Sequence, residues 1–279
     1  MTSELLECEE LKRRLKIEER PCLPCKSDLL PSYYIERKVP KGCLAAHIGL
    51  CLLELKSIET IDKIIDQSLI VDAILLHDIG KLTKGYHKAP ASYRHNVYSS
   101  LFILELRGLE EHKYELAMSV FLHHEYNEWE RAYKSGEMDV LSTIPYRTTE
   151  MDRKRVEAFV DCMKSISERL MMRIDNTLNL LKNNADLVLS EPRRRLKGFR
   201  VANISTISEA IALSYILYLL DNRAALFREV RFEWLKNEVV KLKWRPEKLA
   251  EEILTNENID IKRRARYVLL SLLPDYLKP

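Results

Sequence analysis

The sequence lacks a long apolar run: no stretch of about 18 consecutive apolar residues occurs, and the acidic N-terminus has no apolar signal segment. We therefore expect a soluble, cytoplasmic protein. Glycine is scarce, with seven residues among 279, whereas Leu, Glu, Lys and Arg are abundant. This composition favours a mainly helical chain, and a hydrophobic share of 46% is enough for a substantial core.

Glutamine is nearly absent, and the six cysteines include a single CxxC pair. Cys22 and Cys25 have zinc-knuckle spacing, but no second CxxC pair exists to complete a tetrahedral site. Local cysteines in a loop and a disulfide in a hyperthermophilic protein are the alternatives. Gln67 is the only glutamine, which is typical of thermophilic proteins when Lys, Arg and Glu are abundant. The net charge of +3 is mild, so composition alone does not require a nucleic-acid partner.

The spacing of apolar residues predicts an all-α fold in a single domain, 1–279, with a core at about 40–228 and a C-terminal helical appendage at 229–279. Loops are expected at 20–41, 84–94 and 133–148. A small β-hairpin is expected near 230–244, where apolar residues alternate, with a helix as the alternative. Helices are predicted at 3–15, 42–55, 58–65, 69–76, 95–106, 114–131, 149–184 (one helix or two), 208–228, 246–254 and 259–273.

The chain is organised around one polar turn, which follows the apolar run 70–76. His77 and Asp78 end that run, and an imidazole beside a carboxylate offers nitrogen and oxygen ligands to a divalent metal. Gly80 allows the chain to turn directly after them, and Lys81 follows. A polar turn at a helix end is the simpler interpretation of such a pair taken alone.

The other histidines favour the metal interpretation because most of them fit one pattern. His47 lies in a predicted helix, His95 opens another, and His123 and His124 are adjacent near the end of a third. Adjacent helix residues project about 100° apart, so the last two can share a metal only if it lies over the wedge between them. His87 and His112 fall outside this pattern.

Asp221 lies at the polar end of the apolar run 211–220. A buried carboxylate without a partner is costly, so Asp221 needs a counter-charge. A metal would supply one, and an ion pair with Arg223 or another arginine is the alternative.

The strongest basic cluster lies at 191–200 and contains an interleaved aromatic residue, Phe199. A loop that grips phosphates is the functional interpretation of this cluster, and a solvated loop is the alternative. Its basic residues are Arg193, Arg194, Arg195, Lys197 and Arg200.

Together these residues resemble the HD superfamily of metal-dependent phosphohydrolases, whose motif is H…HD…D. His47, His77–Asp78 and Asp221 match that motif. His95 and the pair His123–His124 resemble the additional H…HH set of the HD nuclease of type I CRISPR systems. The resemblance runs from about 47 to 221, and it implies a helical HD bundle.

The resemblance also implies a two-metal centre with Asp78 and Lys81 as catalytic residues. Asp78 would bridge the two ions, and Lys81 would lie close to the scissile phosphate and stabilise its charge. The first ion would be held by His47, His77, Asp78 and Asp221, and the second by His95, His123 and His124. Nitrogen-rich sites suit Mn, Ni, Co or Fe better than Mg, which prefers oxygen ligands.

The activity implied is cleavage of DNA, preferably single-stranded, in CRISPR interference. The chain has no Walker-type GxxxxGK[ST] motif and no room for helicase domains. It therefore resembles the stand-alone nuclease, a form typical of archaea that works with a separate helicase subunit and a guide-RNA surveillance complex.

Two other functions are alternatives. An HD phosphohydrolase acting on nucleotides or cyclic dinucleotides is the first, but the cyclic-di-GMP group expects Asp-Gly-x-Gly-Tyr-Pro after His-His-Glu. Residues 126–130 read Tyr-Asn-Glu-Trp-Glu instead, which argues against that group. A non-enzymatic helical adaptor is the second, and retention of every ligand position argues against it.

Overall fold

The structure is a computed structural model that describes residues 6–17, 29–35, 39–56, 65–90, 93–124, 148–191 and 204–228. Several predicted features lie outside these residues. They are Cys22 and Cys25, the helix at 58–65 and the loop at 133–148 except for the last residue of each, the basic cluster Arg193–Arg200, the hairpin at 230–244 and the appendage at 229–279.

The described chain is mostly helical, which confirms the predicted all-α fold. The helices are α1 (Leu6–Leu15), α2 (Leu44–Lys56), α3 (Gln67–Leu76), α4 (Lys84–Lys88), α5 (His95–Glu105), α6 (Lys113–Leu122), α7 (Arg153–Leu170), α8 (Asp175–Asn183) and α9 (Ile204–Ala225). Short 3-10 turns follow α3 at Ile79–Leu82 and α9 at Leu226–Arg228.

Two small antiparallel sheets accompany the helices. Strands β1 (Tyr33–Ile35) and β2 (Val39–Lys41) pair with Tyr33 opposite Lys41. Strands β3 (Thr149–Glu150) and β4 (Val188–Leu189) pair with Thr149 opposite Leu189. The first sheet lies in the segment 20–41, which was predicted as loop, because strands of three residues carry too short a pattern to recognise.

Two further boundaries differ from the predictions. The segment 84–94 was predicted as loop, but it contains α4, whose first turn is capped by the Thr83 side chain accepting from the Tyr86 backbone N–H. The helical segment predicted to begin at Thr149 begins at Arg153 and forms the pair α7 and α8. Met171 ends α7 in the left-handed conformation, with φ of 51°, which separates the two helices.

The core forms where the most apolar helices meet. Helices α2 and α3 are apolar on nearly every face and are buried almost throughout. Helix α9 packs against α6 and α2, and α5 packs against α6 and the 3-10 turn that follows α3. This packing brings the C-terminal end of α3 and the first turn of α5 together inside the molecule. None of the helices in the described ranges has the length and apolarity needed to cross a membrane.

Candidate metal centre

Five helices bring side chains that could bind a metal to one buried region. Helix α2 carries one histidine in its first turn, and α3 ends at the histidine–aspartate pair. Helix α5 opens with a histidine, α6 ends in two more, and α9 supplies the second aspartate. The residues are His47, His77, Asp78, His95, His123, His124 and Asp221.

The ligand atoms of these residues follow one another at short distances. His47 Nε2 lies 2.8 Å from Asp221 Oδ1, which lies 3.9 Å from His77 Nε2. His77 Nε2 lies 3.4 Å from Asp78 Oδ2, and Asp78 Oδ1 lies 3.2 Å from His95 Nε2. Ligand atoms that bind one ion, each about 2.0–2.2 Å from it, lie about as far from one another as the atoms in these pairs do. The Asp78 carboxylate therefore lies between two groups of histidines.

The histidine pair at the end of α6 completes the cluster. His124 Nε2 lies 3.0 Å from His95 Nε2, and the rings of His77 and His123 meet edge to face at 5.2 Å between centroids. Three overlapping groups each have ligand atoms within 4.8 Å of one another and could hold an ion. They are His47–His77–Asp221, His77–Asp78–His123 and His95–His123–His124.

Two of the buried histidines are oriented by their own helices. His77 Nδ1 donates to the Ile74 carbonyl at 2.8 Å, and His123 Nδ1 donates to the Val120 carbonyl. Because a carbonyl can only accept, the proton is assigned to Nδ1 in both rings, and each Nε2 carries a lone pair. The lone pairs face the cluster, which is the tautomer that a metal ligand requires.

Asp78 is held on one side by Lys81, the lysine of the polar turn. Lys81 Nζ donates to Asp78 Oδ2 at 2.6 Å, and both side chains are buried. Burial alone would raise the pKa of Asp78, but the charge of Lys81, together with the polar contacts of the neighbouring histidines, outweighs it and holds that pKa well below its usual range. Asp78 is therefore an ionised carboxylate at neutral pH.

The electrostatics keep the second carboxylate charged and three imidazoles neutral. Burial would raise the pKa of Asp221, but its bond with His47 brings it well below its usual range. Burial lowers the pKa of His95, His123 and His124, although the nearby carboxylates oppose the shift. Neutral imidazoles and ionised carboxylates are the forms that bind divalent metals.

Solvent exposure differs from one end of the cluster to the other. The side chains of His47 and His77 are completely buried, and that of Asp78 is 2% exposed. The His95 side chain is 22% exposed, and His124 is partly exposed as well. The cluster is therefore closed at the His47 end and accessible at the His95–His124 end.

The partner that the structure shows for the buried Asp221 is His47 of α2. Arg223 Nε instead lies 2.7 Å from Glu54 Oε2 on α2, and Arg14 of α1 contacts the same carboxylate. Within the described residues, the contact of Asp221 is with His47, at 2.8 Å, and the ion pair of Arg223 is with Glu54.

Two residues that contact the cluster or the polar turn beside it were not identified from the sequence. Glu7 of α1 is buried, and its Oε1 lies 3.5 Å from His47 Nδ1. His87 lies behind the polar turn, where its Nε2 bonds the Lys81 carbonyl at 2.9 Å and its Nδ1 bonds the Tyr34 hydroxyl at 2.6 Å. A glutamate in a charged helix and a histidine in a polar segment carry no pattern that would reveal these contacts.

The residues fit a divalent metal. Within the described part of the chain, His77 Nε2, Asp78 Oδ1 and His123 Nε2 are buried ligand atoms without a hydrogen-bond partner. Each such atom costs about 1–3 kcal/mol when it stays unsatisfied, so three at one place indicate a missing partner. Imidazole nitrogens and carboxylate oxygens are the donor set of Mn, Fe, Co, Ni and Zn sites.

The fold and this cluster define a mostly helical protein with a buried histidine–aspartate centre that could hold metal ions. Comparisons with protein-family models, curated proteins and solved structures found no match for the chain.

Proposed function

We propose that this protein is a metal-dependent phosphodiester hydrolase. The observation that carries the proposal is the convergence of five histidines and two aspartates, from five helices, with unsatisfied ligand atoms facing one another. So many ligands exceed what one tetrahedral or octahedral ion needs beside its substrate. The arrangement therefore suits a pair of ions, as in enzymes that cleave phosphodiesters.

The two ions would share the cluster through Asp78. His47, His77, Asp78 and Asp221 would hold the first, and His95, His123 and His124 would hold the second. The contact of His123 with His77 and Asp78 adds a ligand between the two positions. Divalent ions bound here would supply Lewis acidity towards phosphate oxygens and make water a better nucleophile at neutral pH.

The chain's own residues prepare the centre for this reaction. Lys81 fixes the orientation of Asp78 by bonding Oδ2, which leaves Oδ1 directed at the cluster. Its ammonium group also adds a positive charge near the position of a phosphate, although it is engaged with Asp78 in this structure. A phosphodiester would enter at the His95–His124 end, because these are the two described ligand residues that are not buried.

The substrate and the biological process that we propose rest on the resemblance of the sequence motif to the HD nuclease of type I CRISPR systems. We propose DNA, preferably single-stranded, as the substrate, and CRISPR interference as the process. The partners would be a separate helicase subunit and a guide-RNA surveillance complex, in the cytoplasm. Arg193, Arg194, Arg195, Lys197 and Arg200 would bind the strand's phosphates, and Mn, Ni, Co or Fe would support activity better than Mg.

The test is cleavage of labelled single-stranded DNA by metal-stripped protein after addition of Mn²⁺, Ni²⁺, Co²⁺ or Mg²⁺. The variant is Asp78→Asn, whose amide oxygen can still accept from Lys81. Loss of groups that only orient ligands costs about 10- to 100-fold, so loss of this ligand should lower the rate at least about 100-fold. The control is His112→Ala, which removes an exposed histidine outside the cluster.

Other outcomes would redirect the proposal. Hydrolysis of mononucleotides or cyclic dinucleotides, with DNA left intact, would favour the phosphohydrolase alternative. Full activity with Mg²⁺ alone would contradict the predicted metal preference. Absence of bound metal after loading would leave the adaptor alternative and remove the basis of the proposed function.

A further inference from the structure

Helix α1 reaches the metal centre through a single buried carboxylate. Glu7 lies in the first turn of α1 and is 1% exposed, although charged side chains rarely occupy such positions without partners. Its Oε2 accepts from the Ser32 hydroxyl at 2.8 Å and from the Cys43 backbone N–H at 3.0 Å. These two bonds fix the carboxylate at the N-terminus of α2, where the helix dipole favours negative charge.

The chain makes room for this carboxylate at Gly42. Gly42 has φ of +67°, and a Cβ there would lie 2.3 Å from Glu7 Oε2 and 2.2 Å from Ser32 Oγ. Any larger residue would therefore displace the carboxylate or its hydroxyl partner, in addition to straining the backbone. The β1–β2 sheet and the start of α2 are thus built closely around Glu7.

The other oxygen of this carboxylate faces the metal centre. Glu7 Oε1 lies 3.5 Å from His47 Nδ1, and both side chains are almost completely buried. His47 differs here from His77 and His123, whose Nδ1 atoms bond a carbonyl of their own helix. In the described chain His47 Nδ1 has no such hydrogen bond, so the nearby carboxylate is the group placed to orient its ring.

We propose that Glu7 is a positioning residue for the metal ligand His47. With an ion in the centre, the carboxylate would keep the imidazole proton on Nδ1, so that Nε2, which lies 2.8 Å from Asp221 Oδ1, could bind the ion instead of donating to Asp221. A carboxylate in this role also raises the basicity of the ligand more than a carbonyl does. The inference rests on the proposed metal centre, and it makes α1 a functional part of that centre.

The substitution Glu7→Gln tests this role with little change in shape. Ser32 and the Cys43 N–H would hold the amide oxygen at the Oε2 position, which turns the NH₂ group towards His47 Nδ1. That group donates a hydrogen bond, so it favours the ring form with the proton on Nε2, where the metal should bind. We expect the variant to bind Mn²⁺ or Co²⁺ about 10- to 100-fold more weakly than wild type.

Affinity is measured by titrating the metal alone into metal-stripped, full-length protein without DNA. The control is Asp72→Asn, which alters another largely buried carboxylate, one that bonds Thr177 of α8. Its metal affinity should stay within about twofold of wild type. Urea unfolding of the metal-free proteins gives the stability loss of each variant, so that a general loss of structure is recognised.

A spectroscopic readout separates positioning from packing. In the protein loaded with diamagnetic Zn²⁺, the imidazole Nδ1–H protons are followed by nitrogen–proton correlation NMR. In Glu7→Gln the His47 signal should move upfield or disappear, because its carboxylate partner is lost. The signals of His77 and His123 should stay in place, because their carbonyl partners are unchanged.

The results decide the inference in each case. Unchanged affinity and an unchanged His47 signal in folded Glu7→Gln would overturn it. If Glu7→Gln fails to fold, Ser32→Ala replaces it, because loss of one hydrogen-bond donor to the carboxylate should also weaken metal binding. Unchanged metal affinity of Ser32→Ala would then overturn the inference. Weaker metal binding without any DNA cleavage would support Glu7 while rejecting the nuclease, and absence of metal binding by wild type would reject both.

Discussion

His87 illustrates how a single side chain outside the metal cluster can support it. Its Nε2 must donate, because its partner is the Lys81 carbonyl, and its Nδ1 therefore accepts from the Tyr34 hydroxyl. Protonation of Nδ1 would break the second bond. Burial, with a contribution from the charge of Arg155, lowers the pKa of His87 from 6.5 to about 4. The neutral imidazole thus joins β1 to the turn that carries Lys81.

This depressed pKa predicts a pH dependence of stability. In the unfolded chain His87 takes up a proton near pH 6.5, whereas in the folded protein it does so only near pH 4. The stability that neutral His87 contributes is therefore complete above pH 6.5 and is lost as the pH falls from 6.5 to 4. We expect the free energy of unfolding to fall less steeply over this window in His87→Gln, whose amide can still donate to the Lys81 carbonyl.

The measurement is urea unfolding of metal-stripped wild type and His87→Gln at pH 7, 6 and 5. The difference between the two proteins isolates His87 from the other buried histidines, which are shared. The advantage of wild type should shrink as the pH falls. An advantage that stays constant, or grows, would contradict the proposed tautomer of His87.

At the scale of single residues, the sequence predicted the members of the cluster but not the contacts that orient them. His47, His77, Asp78 and Asp221 were recognisable because ligand-type residues at helix ends form a pattern that apolar periodicity isolates. Glu7 was not recognisable, because α1 contains other glutamates and only the tertiary packing buries this one. Lys81 was expected beside a phosphate, whereas its bond to Asp78 could be seen only once the turn was folded.

Among the elements, the 3-10 turn Ile79–Leu82 and the start of α5 fit closely together near the centre. The Gly80 N–H donates to Ser99 Oγ at 2.8 Å, and a Cβ on Gly80 would lie 2.4 Å from the His95 carbonyl oxygen. That oxygen belongs to the backbone of α5, so it cannot move without moving the helix. The lack of a side chain at Gly80 therefore allows Asp78 to lie close to His95.

The substitution Gly80→Ala should separate these two elements. Overpacking of this kind costs about 1–3 kcal/mol in the free energy of unfolding, and the displacement of Asp78 from His95 should also weaken metal binding. Gly49→Ala is the matched control. A Cβ there meets side chains only, Leu11 at 2.9 Å and Ile166 at 3.1 Å, rather than the backbone of a neighbouring helix.

Urea unfolding and Co²⁺ titration of both glycine variants give the two quantities. We expect both to decline in Gly80→Ala, and metal affinity to be retained in Gly49→Ala. Equal behaviour of the two variants would show that the turn does not position Asp78 through its contact with α5.

The positions of the helices were predicted from the sequence more accurately than the structure of the segments between them. Helices α2, α3, α5 and α9 were expected because their apolar residues recur at helical spacing or form continuous runs. The strands β1 and β2 were not, because their pairing depends on backbone bonds such as that from the Ser32 N–H to the Lys41 carbonyl. Helix α4 has only five residues, which is too short for a periodic pattern to indicate.

In the whole molecule, the candidate centre joins parts of the chain that are distant in sequence. The contact between His47 and Asp221 alone spans 174 positions, and α2, α3, α5, α6 and α9 all contribute. Metal-free protein must bury these ligand atoms without satisfying all of them, as His77 Nε2 and His123 Nε2 show. Metal binding should therefore stabilise the whole fold, because the unfolded chain cannot present the same set of ligands.

Metal loading is expected to raise the free energy of unfolding by an amount that its affinity determines. With free Mn²⁺ or Co²⁺ at about 100 times the dissociation constant, the gain should be about 2.7 kcal/mol for one site, provided that the unfolded chain does not bind the ion. His123→Ala should lose most of this gain, because His123 contributes to two of the three ligand groups. His112→Ala should keep it.

The His112 control also distinguishes the buried centre from the surface. His112, Glu115 and Glu209 form a separate group in which one ligand atom from each lies within 4.8 Å of the others, but His112 is exposed. If His112→Ala lost the metal-dependent gain and His123→Ala kept it, the stabilising ion would belong to the surface. If chelator-treated and metal-loaded wild type unfolded at the same urea concentration, neither group would bind metal in the folded state, and the proposed metal chemistry would be wrong.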